Sequence, residues 1–206
     1  MLARNIKVLF AGMIVALSLM LIVGCAVKDE TQETGIDAAA SQEPVLVNGV
    51  GGIIWHAPAG WTVGPEKPMR AITYFAKAAD GDVDSAECAV FYFGQTSGGT
   101  TADNITRWAN QLTQPDGSSS LDKATTDEFN VGDVKVTTVD VTGSYTVPAG
   151  PMMQATDNKE DYRLLGAVCE GPQGSVFFKM TGPANTMAAN ETSFMGMIKS
   201  IVPEAK

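Results

Sequence analysis

The chain has 206 residues, of which 45% are hydrophobic and 18% charged. That is enough apolar material for one packed domain with short extensions, and it excludes a chain disordered throughout. The formal net charge of −9, with no basic run anywhere, excludes a nucleic-acid surface and a patch that docks electrostatically on anionic lipid.

The N-terminal stretch MLARNIKVLFAGMIVALSLMLIVGCAVKDE carries Arg4 and Lys7, runs apolar from Val8 to Val23 and turns polar at Lys28. This three-part order is the pattern of a secretory signal. The apolar run falls short of the roughly 20 residues that a spanning helix wants. Its close, Ile22-Val23-Gly24-Cys25, resembles the lipobox of bacterial lipoproteins, with Leu21 one residue ahead of the motif's commonest leucine position. The resemblance implies a diacylglyceryl thioether on Cys25, cleavage after Gly24 and acylation of the new N-terminus. Small Gly24 suits a peptidase subsite, and Cys25 supplies the thiol. The alternative is an uncleaved anchor helix; in both cases the rest of the chain is expected outside the cytoplasm. Cleavage removes two basic residues and no acidic one, taking the net charge from −9 to −11. Acyl chains at about 0.8 kcal/mol per buried methylene anchor such a chain without a basic patch. The membrane is therefore an expected partner, through Cys25. Ala26 in place of Asp implies, by resemblance to enterobacterial sorting rules, the outer membrane facing the periplasm.

Residues 1–24 thus read as signal, 25–44 as a lipidated N-terminus and flexible tether with almost no large apolar side chains, 45–202 as one domain and 203–206 as a tail. Within the domain, Val45–Val50 and Ile53–Ala57 read as short strands broken at Gly51-Gly52, and APAGW as a turn ending at Trp61. RAITYFAK (70–77) reads as a strand, and ECAVFYF (87–93), apolar on both faces, as a central one. Thr101–Leu112 is predicted to be a helix capped by Thr101 or Asp103, with Ile105, Trp108, Ala109 and Leu112 at the i, i+3, i+4, i+7 positions of one stripe. Pro115-Asp116-Gly117 stops it. FNVGDVKV reads as a hairpin about Gly132-Asp133. Thr146–Asp161 reads as a long loop, uncommon in a compact domain unless functional or mobile. Tyr162–Glu170 and Ser175–Thr181 form a second hairpin across GPQG, and a last helix runs from an Asn185 cap to about Ser200, with Phe194, Ile198 and Ile201 as its stripe. Strands outnumber helices and no period of 20–50 residues recurs, which predicts an α+β fold: an antiparallel sheet packed by helices.

The phrases WHAPAGW, MRAITYF, NITRWANQL, YRLLGAVCEGPQGSVFFKMTGP and FMGMIKSI together resemble a family of exported bacterial proteins of unknown function, over about Ile53 to Ile201. The order of elements also resembles the PsbP-like α/β/α sandwich, named for an extrinsic photosystem subunit. That resemblance implies a sheet between helices and no activity.

Chemistry is sparse in the sequence. It holds no G-x-S-x-G, H-E-x-x-H, Walker loop or C-x-x-C. The single histidine, His56, beside Trp55 and Pro58, reads as a structural residue ahead of a catalytic base. Asp82/Asp84 and Asp127/Glu128 are available for acid–base work but read as solvated turn residues. DNKED (157–161) lacks the glycine and spacing of a calcium loop, and no metal or cofactor is implied. Cys88 and Cys169 sit in apolar strands; a disulfide would close a loop of about 80 residues, worth about 3–4 kcal/mol, against two separate buried thiols. Trp55, Trp61 and Trp108 could stack on sugar but read first as packing residues. On the middle helix Asn104, Arg107 and Gln111 fall in one sector of about 60°, as candidate contacts or as ties to neighbouring loops. The reading is a lipid-anchored, non-catalytic binding or accessory module that meets an envelope protein, with Asn104, Arg107, Gln111 and the loop Thr146–Asp161 as contacts. The alternatives are an envelope hydrolase or transferase using acidic residues, and a structural envelope lipoprotein.

Overall fold

The structure is a computed structural model that describes residues 45–146 and 158–204, with side chains from Val50 onward. Cys25, the signal, the tether and residues 147–157 of the long loop lie outside the described residues. Within them the chain forms the expected α+β architecture, an antiparallel sheet packed by helices.

Strand β1 (Val45–Val50) turns at Gly51-Gly52 into β2 (Ile53–Ala57), and the short β11 (Val202–Pro203) joins β2 to complete a three-stranded sheet. The larger sheet contains β3 (Thr62–Val63), β4 (Ile72–Ala76), β5 (Ala86–Tyr92), β6 (Leu112–Thr113), β8 (Val134–Thr146), β9 (Asn158–Gly171) and β10 (Gly174–Pro183), in the order β3-β4-β5-β10-β9-β8-β6. β7 (Thr125–Val131) pairs with the first part of β8 through a hairpin whose Gly132 takes a positive φ of 57°. All pairings are antiparallel, as hairpin connections allow. The helices are α1 (Thr101–Ala109), the single turn α2 (Ser120–Lys123) and α3 (Ala184–Lys199).

Strand alternation divides the core in two. Val176, Phe178 and Met180 of β10 share one cluster with Cys88 and Val90 of β5, Trp55 of β2, and Met187, Phe194, Met197 and Ile198 of α3. Phe177 of β10 points to the opposite face and joins Ile105 and Trp108 of α1, Val139 and Val141 of β8, and Leu164 and Val168 of β9. The sheet therefore lies between α3 with the small sheet on one face and α1 on the other. Each large apolar side chain so buried contributes about 1.5–3 kcal/mol.

Four boundaries differ from the sequence expectation, each for a local reason. α1 ends at Ala109 rather than Leu112, because Leu112 pairs with Tyr145 of β8 and the Gln111 carbonyl accepts from the Thr146 N–H. Its cap is Thr100, whose hydroxyl accepts from the Asp103 N–H while the Asp103 carboxylate accepts from the Thr100 N–H, closing a capping box. α3 starts at Ala184, not behind Asn185; Asp82 accepts from both the N–H and the hydroxyl of Thr186 in its first turn. The loop expected over Thr146–Asp161 narrows too, since the β8–β9 ladder runs out to Thr146 opposite Asn158.

The disulfide considered between Cys88 and Cys169 does not form; both are free, fully buried thiols. Cys88 stands opposite Met180 and Cys169 opposite Val176, so β10 lies between them and they are offset along it. Two strand spacings are about 10 Å, beyond the roughly 7 Å that a disulfide spans. Burial pushes both thiols up, which makes them inert apolar fillers.

Candidate functional site

Helix α1 has nine residues, a length of about 14 Å. The large sheet has seven strands on its main path, a width of roughly 29 Å. One short helix cannot roof that face, and its placement decides which strands stay open. Trp108 fixes it: a Cβ on Gly166 of β9 would lie 2.5 Å from the Trp108 ring, so the indole lies directly on that glycine. Trp108 also meets Phe177 edge-on, with centroids 6.5 Å apart. α1 is thus held over β8, β9 and the near part of β10, and the β4–β5 side of the face has no helix above it.

The uncovered side is polar. Glu87 of β5, Lys179 and Thr181 of β10, Tyr162 of β9 and Tyr145 of β8 converge there with Lys67 and Arg70 from the segment before β4. Together with Asp84, Ser85 and Lys159 they line a groove of about 440 Å³, within the range of small-molecule sites. Tyr145 and Tyr162 stack at 5.8 Å with 10° between their planes. Lys179 Nζ stands 5.6 Å from the Tyr145 ring centre and Lys159 Nζ 5.6 Å from that of Tyr162.

The groove's carboxylates are committed. Glu87 accepts from Lys67 Nζ at 2.7 Å and from Arg70 Nη1 at 2.8 Å. Burial alone would raise its pKa, but the two cationic donors outweigh burial and hold it below the usual carboxylate range. Asp84 accepts from Lys159 Nζ at 2.5 Å and from the Tyr162 hydroxyl at 2.6 Å, and these bonds hold it low as well. Burial and then the Asp84 bond push the Tyr162 hydroxyl up to about 12.

Lys179 is different. Its Nζ donates to Gln111 Oε1 at 2.6 Å and, at 3.4 Å, to the Tyr145 hydroxyl, both uncharged. Among the described residues it makes no ion pair, whereas Lys67, Arg70 and Lys159 each do. Burial first, then the nearby Arg70, brings its pKa down to about 8 from 10.5; Glu87 opposes this and Arg107 adds to it.

The three helix residues singled out from sequence go to separate places. Asn104 is buried, 1% exposed. Its Nδ2 donates to the carbonyls of Gly98 at 2.7 Å and Thr100 at 2.9 Å, and its Oδ1 accepts from Arg107 Nη2. It ties the Gly98 loop to the helix start. Arg107 is exposed and edges a second hollow of about 400 Å³ with Met69 and Phe93. Gln111, in the turn after α1, alone reaches the groove, as the acceptor for Lys179. His56 is exposed on β2, and only its backbone N–H is used, donating to Ser200 Oγ. Asp127 and Glu128 are exposed on β7, and Asp161 sits in β9. Each tryptophan is spent on packing: Trp55 Nε1 donates to the Tyr74 hydroxyl, Trp61 Nε1 to Asn190 Oδ1, and Trp108 lies on Gly166.

Sequence reasoning did not single out Lys179, Glu87, Arg70 or Tyr145. The available signal was a lone Lys inside the apolar run SVFFKMT and a lone Glu opening ECAVFYF, each a charge where a strand otherwise buries both faces.

No protein-family model matches the chain, and no curated protein matches it. Among solved structures it is similar to PA94 of Pseudomonas aeruginosa, a protein of unknown function, with 11% identity and a TM-score of 0.43 over 80% of this chain and 99% of that one. It is similar to LpqN of Mycobacterium tuberculosis, involved in cell envelope biogenesis, with 11% identity and a TM-score of 0.46 over 79% and 91%. It is also similar to the cyanobacterial PsbP of Synechocystis sp. PCC 6803, with 13% identity and a TM-score of 0.45 over 78% and 92%. Likeness at this level establishes neither a family nor a role for this chain.

Proposed function

We propose that the chain is an exported, lipid-anchored, non-catalytic binding module of the cell envelope, with the groove around Lys179 as its ligand site. The signal pattern and the Ile22–Cys25 lipobox support the export and the anchor, Ala26 supports the outer membrane facing the periplasm, and the tether of residues 25–44 gives the domain reach toward an envelope partner.

The observation that carries the binding role is the state of the two groove carboxylates. A general acid or base works best with a pKa near the operating pH, and a hydrolase built on acidic residues raises at least one carboxylate toward it. Asp84 and Glu87 are instead held low by cationic hydrogen-bond donors. They are built to position Lys67, Arg70 and Lys159, which supports binding over the hydrolase or transferase alternative. A purely structural lipoprotein gives no reason for Lys179, which makes no ion pair among the described residues.

Two experiments test this. In cells, the chain is expected to incorporate labelled palmitate and fractionate with membranes, and Cys25→Ala is expected to lose both; a Cys25→Ala chain that still labels contradicts the anchor. A photoreactive residue placed at Ser85, in the groove, is expected to crosslink an envelope component that the same residue at exposed Thr126 of β7 does not. Equal yields from the two positions contradict the binding role.

A further inference from the structure

Resting on that binding reading, we propose that the groove takes an oxyanion, a carboxylate or phosphate group of a small molecule, as the missing counter-ion of Lys179. Three observations converge on it. The groove holds four cations, Lys67, Arg70, Lys159 and Lys179, against two carboxylates, Asp84 and Glu87. This local positive excess sits in a chain of net charge −9. Repulsion from the rest of the surface cannot account for cations gathered there, and a concave wall focuses their field.

The excess is also localised. Lys67 and Arg70 share the single carboxylate of Glu87, and Lys159 has Asp84. Lys179 has Gln111 Oε1 and the Tyr145 hydroxyl, which take two of the three ammonium donors and none of its charge. Taking an ammonium out of water without an opposite charge is costly, so the free protein carries a site whose electrostatics a bound anion completes.

The surroundings are already fixed. Gln111 is anchored by the α1 turn and by the Gln111–Thr146 backbone bond, and Tyr145 by its stack on Tyr162. Lys179 is therefore held in place before any ligand arrives, with Arg70 across the groove as the second cationic donor, and preorganisation of this kind spares the bound state an ordering cost. Arg suits a bidentate grip on a carboxylate or phosphate. The Tyr145 hydroxyl, which donates weakly to Gln111 Oε1 at 3.5 Å, and the Thr181 hydroxyl line the same wall as neutral polar groups beside the two cations.

The test is calorimetric titration of the full chain with inorganic phosphate, with succinate and with neutral succinamide, for the wild type, Lys179→Met and Gln111→Ala. Saturable one-site binding of phosphate or of succinate is expected, with succinamide silent; which anion binds tells the phosphate source from the carboxylate source. Lys179→Met is expected to weaken binding by about tenfold or more, and Gln111→Ala by less. Unfolding curves of both variants accompany the titrations, so that a misfolded sample is not scored. Lys179→Met binding with wild-type affinity, or neither anion binding the wild type, overturns the proposal. Succinamide binding as well as succinate overturns the anion and leaves the groove standing as a binding site.

Discussion

The two faces of the large sheet are made by the same strands and end up with opposite uses. On β10, Val176, Phe178 and Met180 face α3 and the small sheet, while on the opposite face Phe177 packs against α1 and Lys179 and Thr181 line the uncovered groove. On β5, Cys88 and Val90 face α3, while Glu87 faces the groove. Alternation supplies two faces to every strand; what covers a face decides its chemistry. α3 has sixteen residues and works with β1, β2 and β11 to close its side. α1 has nine and leaves part of its side uncovered, and charged groups occupy that part.

The largest effect is expected on the closed face. Phe178 is fully buried, with its ring edge-on to Trp55 at 5.0 Å. Phe178→Ala should cost about 3–5 kcal/mol in urea unfolding; a loss below 1 kcal/mol would mean that this face is not the main core.

On the other face, the placement of α1 depends on one contact. Gly166→Ala puts a methyl group into the Trp108 ring and should cost about 1–3 kcal/mol. Because both changes act on the same spot, Gly166→Ala is expected to cost less in a Trp108→Ala background. Equal costs in the two backgrounds would show that the indole does not set the helix.

The open part of that face should respond in the opposite direction. Lys179 has a folded pKa of about 8, below its unfolded 10.5. The unfolded chain therefore holds the proton more tightly, so folding carries a penalty that is full below pH 8 and fades as pH rises toward 10.5. Wild-type stability should accordingly climb between pH 8 and about 10, before tyrosines ionise. Arg70, Glu87 and Tyr145 are the charged and titratable groups nearest Lys179 in the groove, with Arg107 farther off on the second hollow; burial raises the Tyr145 hydroxyl and the cationic donors hold the Glu87 carboxyl low, so both shifts point away from the climb. Lys179→Met should flatten the climb and raise stability at pH 7 by about 1–3 kcal/mol. A variant less stable than wild type at pH 7 would show that Lys179 is there for the fold.

Much of the closed face could be read from the sequence, and most of the groove could not. The alternating runs of β5, β9 and β10, the two hairpins and the apolar stripe Ile105–Trp108–Leu112 are local patterns, and local patterns identify strands and helices. The stripe predicted burial correctly for all three residues although Leu112 reached the core through a strand. The groove depends on pairings between residues far apart in sequence, such as Lys179 with Gln111 and Lys159 with Asp84. Nothing local in GQTSGGT or TRWANQL says that Asn104 closes a loop while Gln111 meets a lysine 68 positions away. The angular sector shared by Asn104, Arg107 and Gln111 treated the helix as continuing to Leu112; its end at Ala109 sends Gln111 off that face.

The smallest effect belongs to the groove's rim. Asp84 is 43% exposed at its side chain, so its pairs with Lys159 and Tyr162 are screened, and Asp84→Asn should cost no more than about 1 kcal/mol at pH 7. The Asp84 carboxyl is held low, so that contribution is present above the unfolded carboxylate range and is lost as pH falls through the lower folded value. A cost of Asp84→Asn that stayed unchanged as pH fell through the carboxylate range would remove the Asp84 carboxylate from the ion pair.

The central claim, that Lys179 is a half-buried ammonium waiting for an anion, is read most directly from its own titration. The ε-methylene and amino resonances of Lys179, assigned by their absence in Lys179→Met, can be followed across pH 6 to 11 by NMR in the full chain with and without inorganic phosphate or succinate. The expected result is a midpoint near 8 in the free protein, moving upward when the anion that binds is present. A midpoint near 10.5 that neither anion moves would contradict the account.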